Sequence, residues 1–224
     1  MHGNLMTLPL FKGVSYNRIS EIVGKIPLAF SRHSAGAAIA LSGEPCRDIR
    51  FVIGGSVRIK ISNHTERFRI LQTLTAPAVI FPDFLFGRAT SYPGDVTAIG
   101  DVSIMQIAKN DFISLLRDDE IILFNFLNML SANAQKSVSG VLALTDGSLE
   151  ERIAFWIEAL TQIDASDILL QARQHDLYTL FGVQRSSFVD ALESLRQRGV
   201  IEYTPTEIRV ISRKSLRGLL IGNI

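Results

Sequence analysis

The 224-residue chain contains one cysteine, Cys46, and that scarcity excludes an intramolecular disulfide, a thiolate zinc ribbon and an iron–sulfur cage. Histidine is nearly as rare. His2, His33, His64 and His175 are scattered, with no two at ligand spacing on one strand or helix, so a metal-dependent enzyme is not expected. Neither a G-x-S-x-G elbow nor a P-loop nor a G-x-G-x-x-G run occurs, and Cys46 beside Pro45 reads as a packed thiol before a nucleophile. Long apolar runs are missing too: IILFNFLNML from Ile121 is cut by Asn125 and Asn128, well short of the roughly 20 residues that cross a bilayer. The N-terminal MHGNLMTLPLFKG lacks the charged start and apolar stretch of a secretory signal. No membrane partner is expected, and the cytoplasm is the expected location. A large charge of either sign is absent as well, the net being +1, so global electrostatics give no sign of a nucleic-acid partner.

What is present is apolar content, 47% against 20% charged residues, enough for ordinary globular cores and, at this length, for two domains. Residues 30–108 read as short strands. Val57, Ile59 and Ile61 alternate, as do Phe68 and Ile70 against Arg67 and Arg69, and glycines at 36, 43, 54, 55, 87, 94 and 100 punctuate them. Asn110 or Asp111 is placed to cap a short helix through Leu116, and a longer helical pattern runs from the acidic 118–120 stretch to about Leu144. Along it Leu123, Leu127, Leu130, Ala134, Ser137, Val141 and Leu144 recur at alternating spacings of four and three. That seam suits a two-stranded coiled coil, although the same residues could pack on the β domain. Asp146 and Gly147 break the pattern, and Ser148 with Glu151 forms a capping box for a new helix to about Leu160.

The C-terminal part carries the constellation with chemistry in it. A short helix over 174–181 puts Leu177, Leu180 and Phe181 on one side, Gly182 follows where a tight turn demands positive φ, and Val183 plugs the turn. A second helix, Arg185 to Arg198, turns Phe188, Ala191, Leu192 and Leu195 inward and Arg185, Ser186, Ser187 and Asp190 outward. Arg196 and Arg198 suit its negative dipole end and Gly199 its termination. Val200–Tyr203 and Glu207–Ile211 then read as strands around Thr204, Pro205 and Thr206. Over 185–217 seven cationic side chains face four acidic ones. Two helices around a glycine turn followed by a hairpin make a winged helix-turn-helix, whose second helix places its first residues at base edges in the major groove. Arg185 is the best reader, since its fork can serve guanine O6 and N7 for about 1–3 kcal/mol of discrimination. Gln184, Ser186, Ser187, Asp190, Thr204 and Thr206 complete the expected DNA-facing set. The plainer reading is a small helical domain with a solvated polar face.

LFGVQRSSFVDALESLRQRGVIE, from Leu180, resembles the helix-turn-helix signature of the Crp/Fnr family. IALSGEPCRDIRFVIGGSVRIKI, from Ile39, is similar to the β-roll that this family shares with cyclic-nucleotide-binding domains, with Gly43, Glu44 and the Gly55–Ser56–Val57 segment carrying the likeness. The resemblance covers nearly the whole chain. It implies an α+β protein in three parts: a double-stranded β-helix (jelly-roll, cyclic-nucleotide-binding-like) sensor over 1–117, a long dimerisation helix over 118–147 and a winged helix-turn-helix over 148–224. The partners it implies are double-stranded DNA, a second copy of the chain and RNA polymerase.

Two departures from the family pattern bear on mechanism. In VIFPDFLFGRATSYPGDVTAIG, Phe81 and Pro82 stand where the family has Gly-Glu, and Tyr92 and Pro93 where it has the Arg-Ser pair that grips the cyclic phosphate. Lacking that arginine and glutamate, the segment is not expected to bind cyclic AMP. Arg88 is displaced by four positions and reads as a surface residue. An effector of another kind, uncharged or aromatic-compatible, would be met by Phe81, Phe84, Phe86 and Tyr92, with Phe81, Pro82, Arg88, Tyr92 and Ser137 as the candidate effector-binding residues. In the recognition helix Ser186 replaces a frequent Glu and Asp190 a frequent Arg, while Arg173 replaces a Ser or Thr cap on the first helix. The operator therefore cannot be carried over from relatives. Two alternatives stay open, a cyclic-nucleotide-responsive regulator with a non-standard cassette and a module of the same fold that does not bind DNA.

Overall fold

Period-two alternation becomes pleated sheet here, most regularly in the strand Asp95–Ala98 and at the start of the strand Ser56–Ser62, where every second side chain is buried. The computed structural model describes residues 5–142 and 147–220; Leu144 of the seam, the Asp146 break and His2 lie outside the described residues. The chain divides into two compact units, one of Met1–Ile59 and Leu74–Asn133, the other of Lys60–Thr73 and Ala134–Ile224.

The first unit is a jelly-roll-like β sandwich with helices. Its strands are β1 (Ala29–His33), β2 (Ala38–Ala40), β3 (Asp48–Gly54), the first residues of β4 (Ser56–Ser62), the end of β5 (Arg69–Thr75), β6 (Ala78–Ile80), β7 (Asp95–Ala98) and β8 (Val102–Ala108). One sheet has the order β1-β8-β3-β6, with β3 and β8 antiparallel from Asp48↔Ala108 to Gly54↔Ser103, and facing strands follow the order β4-β7-β2. Ile49, Phe51, Val57, Ile59, Ile104, Met105 and Ile107 fill the interior.

Helix α1 (Tyr16–Lys25), absent from the sequence reading, starts where the Ser15 hydroxyl accepts from Arg18 N. Helix α2 (Lys109–Asp118) begins earlier than expected, after Ala108 and without a side-chain cap, so neither Asn110 nor Asp111 fills that role. Helix α3 (Glu120–Leu142) follows. Its early turns bury Ile122 and Phe126, the latter ring edge-on to Phe112 with centroids 5.1 Å apart. The seam residues Leu127, Ala134, Ser137 and Val141 are exposed, and so are Phe124 and Val138 beside them. The face that packs on the roll is thus offset from the heptad seam.

The second unit is built around one core in which Trp156, Phe181, Phe188, Leu192, Leu195 and Ile208 meet. Helix α4 (Leu149–Leu160) carries the expected capping box, Glu151 N donating to Ser148 Oγ at 3.2 Å and Ser148 N to Glu151 Oε2 at 2.8 Å. Strand β9 (Ser166–Gln171), helix α5 (Gln174–Leu180), helix α6 (Arg185–Gln197), strands β10 (Ile201–Tyr203) and β11 (Glu207–Val210) and helix α7 (Arg213–Gly218) follow. Leu180 is a correction: it is 52% exposed, whereas Leu177 and Phe181 are buried, because Leu180 lies about a quarter-turn away from Phe181 on so short a helix.

Strand β9, and its pairing with β5, are absent from the sequence reading. The β4–β5 hairpin tip, residues 60–73, belongs to this second unit. There β5 pairs antiparallel with β9 as Arg69↔Gln171, Ile70↔Leu170, Leu71↔Leu169 and Thr73↔Ser166, giving the strand order β10-β11-β9-β5. Ile70 is buried in the shared core, and the Phe68 and Trp156 rings lie 5.4 Å apart.

Candidate nucleic-acid interface

The turn between α5 and α6 is set by Gly182, whose φ of +65° suits a residue without Cβ. Gly182 N donates to Thr179 O and Val183 N to Tyr178 O, satisfying the last carbonyls of α5. Arg152 Nη2 donates to Phe181 O at 2.7 Å from the α4 side. Val183 packs against the core, as its place in the turn suggested.

Helix α6 buries Phe188, Ala191, Leu192 and Leu195. Gln184, Arg185, Ser186, Ser187 and Asp190 are all exposed and form one polar face at the start of the helix. Among the described residues Arg185 has no hydrogen-bond or ion-pair partner, and the N-cap Gln184 makes no capping bond. The first amides of the helix and a free guanidinium therefore point outward together, an arrangement suited to an anionic or acceptor-rich partner. Gly199 closes the helix at φ +67°.

The β10–β11 turn exposes Thr204, Pro205 and Thr206. Ala172 N donates to Thr206 O at 2.9 Å and Gln174 N to Pro205 O at 3.1 Å, so the turn is tied to the start of α5. Thr204 Oγ1 accepts from Thr206 N and holds the turn itself. Arg173, at the N-cap of α5, spends its guanidinium on both oxygens of Asp176 and lowers that carboxyl's pKa.

Most of the local positive charge has a structural use that composition did not reveal. Arg196 pairs with Glu193, Arg209 with Asp167, and Arg213 and Arg217 with Glu158. The Arg196 hydrogen bond, with help from Gln197, holds the Glu193 carboxyl down to about 2. Of the seven cations over 185–217, Arg185, Arg198 and Lys214 remain exposed and unpaired among the described residues.

In the first unit, the segment that departs from the cyclic-phosphate pattern is filled by its own side chains. Phe81 and Tyr92 are buried, their ring centroids 6.3 Å apart, and Phe81 meets Phe84 edge-on at 5.9 Å. Tyr92 N donates to Glu44 O and Gly43 N to Tyr92 O, which pins this residue to the Gly43–Glu44 loop. Arg50, which the sequence reading passed over, lies over the Tyr92 ring at 5.2 Å and donates to Asp48 Oδ1 at 2.6 Å and to the Ile39 carbonyl. Burial raises the Tyr92 hydroxyl pKa and keeps it protonated, and burial likewise raises that of the Cys46 thiol, leaving a packed group. Pro82 is buried and Arg88 exposed, both in the first unit, while Ser137 is an exposed residue of the second. Among the described residues no cluster of three His, Cys, Asp or Glu side chains is placed to hold a metal ion, and no helix is long and apolar enough to cross a membrane.

No curated protein matches the sequence. The family model of the cyclic nucleotide-binding domain matches residues 31–119. The catabolite activator protein of Thermus thermophilus is 20% identical and aligns over 96% of this chain and 100% of its own, with a TM-score of 0.54. CprK in complex with OCPA is 14% identical over 90% of this chain and 92% of its own, with a TM-score of 0.52. A transcriptional regulator from Thermotoga maritima is 18% identical and covers 57% of this chain and 97% of its own at a TM-score of 0.50. Residues 31–119 therefore resemble a cyclic nucleotide-binding domain, within a chain that shares the fold of the Thermus thermophilus catabolite activator protein.

Proposed function

We propose that the chain is a homodimeric, DNA-binding transcription regulator of the Crp/Fnr type that reads a palindromic operator with α6, starting at Arg185, and that it does not respond to cyclic AMP. The observation that carries this reading is the unpaired Arg185 at the head of an exposed polar face, Gln184 to Asp190, on a helix fixed from behind by four buried apolar residues. Helices α5 and α6 with β10 and β11 serve as a winged helix-turn-helix. In that docking α6 lies in the major groove and the wing residues Thr204 and Thr206 meet the backbone. Asp190 accepts from cytosine N4 where a cation would have favoured guanine.

The functional division is a sensor over 1–117, a dimerisation helix over 118–147 and the DNA-binding part over 148–224. RNA polymerase is the further partner that the resemblance implies, and the cytoplasm the place of action. Buried Phe81 and Tyr92 put aromatic carbon where the resemblance has the Gly-Glu and Arg-Ser pairs, which supports an effector other than a cyclic nucleotide.

In-vitro selection from a random duplex library, followed by titration at fixed salt, tests the reading. The expected outcome is an inverted repeat, with Arg185→Ala losing preference at one base of each half-site by about 1–3 kcal/mol. Failure to enrich any duplex over scrambled DNA sinks it. Stabilisation of the protein by cyclic AMP in a thermal-shift assay would overturn the effector part alone.

A further inference from the structure

We propose that the β4–β5 hairpin supplies a second DNA contact, with Arg67 neutralising a backbone phosphate beside the wing; this rests on the DNA-binding reading above. The hairpin is part of the roll by sequence order, yet its tip folds into the second unit through the β5–β9 pairing and the burial of Ile70. Gln162 N adds a 2.7 Å hydrogen bond to Gln72 Oε1. The tip is therefore held rigidly in the same unit as the reading helix.

Beside it lies a cleft of about 240 Å³ lined by Glu66, Arg67, Arg69, Arg173, Thr206 and Glu207, among others. Its carboxylates are occupied. Glu66 accepts from Arg69 at 2.7 Å and lies 3.7 Å from Lys60, and Glu207 accepts from Gln171 at 2.8 Å. Arg173 is committed to Asp176. Arg67 alone among the cleft's arginines is exposed with no hydrogen-bond or ion-pair partner among the described residues.

The neighbours of that free guanidinium decide what it meets. Thr206 belongs to the wing turn, and Arg173 begins the first helix of the pair, the element that crosses the sugar-phosphate backbone in helix-turn-helix docking. A cation sharing a cleft with both, in which no lining residue comes from α6, suits the phosphate path and contributes charge without sequence information.

The test is the salt dependence of binding by the full-length protein, on the selected operator and on a scrambled duplex of the same length. Arg67→Ala is expected to reduce the slope of log K against log salt by about 0.9 per protomer and to weaken both duplexes by the same factor. Arg67→Lys should retain the slope, because a phosphate needs only a point charge. An unchanged slope in Arg67→Ala, with wild-type protein still selective for the operator, overturns this proposal and leaves the regulator reading intact. Loss of selectivity without a change of slope would make Arg67 a base reader and overturn the phosphate assignment. If wild-type protein binds neither duplex, the DNA-binding reading falls and this one with it. Arg67 is exposed, so an unaltered thermal unfolding profile is the expected control.

Discussion

Arg213 holds Glu158 by both oxygens, Nε donating to Oε1 at 2.8 Å and Nη2 to Oε2 at 3.0 Å, with the two side chains only 14% and 9% exposed. The same guanidinium donates to Thr161 Oγ1 at 3.1 Å and to the carbonyls of Gln162 and Ala165. It thereby joins α7 to the end of α4 and to the loop that leads into β9.

Removing one partner of a buried pair leaves the other charge desolvated, which typically costs about 3–5 kcal/mol. Arg213→Met is therefore expected to lower the unfolding free energy by that order, although Arg217 Nε still reaches Glu158 Oε2 at 3.2 Å. The double variant Arg213→Met/Glu158→Leu should recover most of the loss, since no buried charge remains. Urea unfolding of the three proteins decides it, and a single-variant loss under about 0.5 kcal/mol would show that the pair contributes nothing.

That pair also marks where sequence reading reached its limit. Helical periodicity, the Ser148–Glu151 capping box and the positive φ of Gly182 and Gly199 are local properties, and all four are present. A +3 excess over 185–217 is a sum over sequence neighbours. Arg196, Arg209, Arg213 and Arg217 turn out to meet carboxylates at Glu193, Asp167 and Glu158, two of which lie outside that window. Strand β9 was missed because SDILLQ offers little alternation between its turn residues. Its partner β5 lies far upstream, with Arg69 opposite Gln171 and Thr73 opposite Ser166, a pairing that period-two patterning cannot specify. The alternation at Phe68 and Ile70 marks a strand, yet only Ile70 lies in β5, Phe68 preceding it, and the core that both side chains meet was not legible.

Gly55, part of the segment that carries the family resemblance, has a physical reason to be glycine. Its φ is +80°, and a Cβ there would lie 2.3 Å from Asp101 O, a backbone atom that cannot swing away. Gly36 has the same φ with nothing within 4 Å of a Cβ. Gly36→Ala should therefore report left-handed strain alone, about 1–2 kcal/mol. Gly55→Ala should cost clearly more, about 3 kcal/mol or beyond, as the β8 approach must open as well. Equal thermal shifts for the two variants would show that the close approach carries no energy.

The remaining prediction concerns α3. Phe124, Leu127, Val138 and Val141 are 62%, 46%, 60% and 67% exposed, an apolar stripe on and beside the heptad seam that a single chain leaves in water. A two-stranded coiled coil covers such a stripe, and it also supplies the two-fold axis that sets half-sites about 34–36 Å apart. Leu127→Asp/Val141→Asp introduces carboxylates into that seam in each copy. At several kcal/mol of desolvation per buried charge, the dimer dissociation constant should rise by ~100-fold or more. Asn128→Asp, exposed and off the seam, should leave it unchanged. Sedimentation velocity reads the oligomer directly, and a monomeric wild-type protein would remove the seam from this role. On DNA the double variant should lose far more affinity for a palindrome than for one half-site, because the monomer keeps α6 and its Arg185 but forfeits the second, tethered contact.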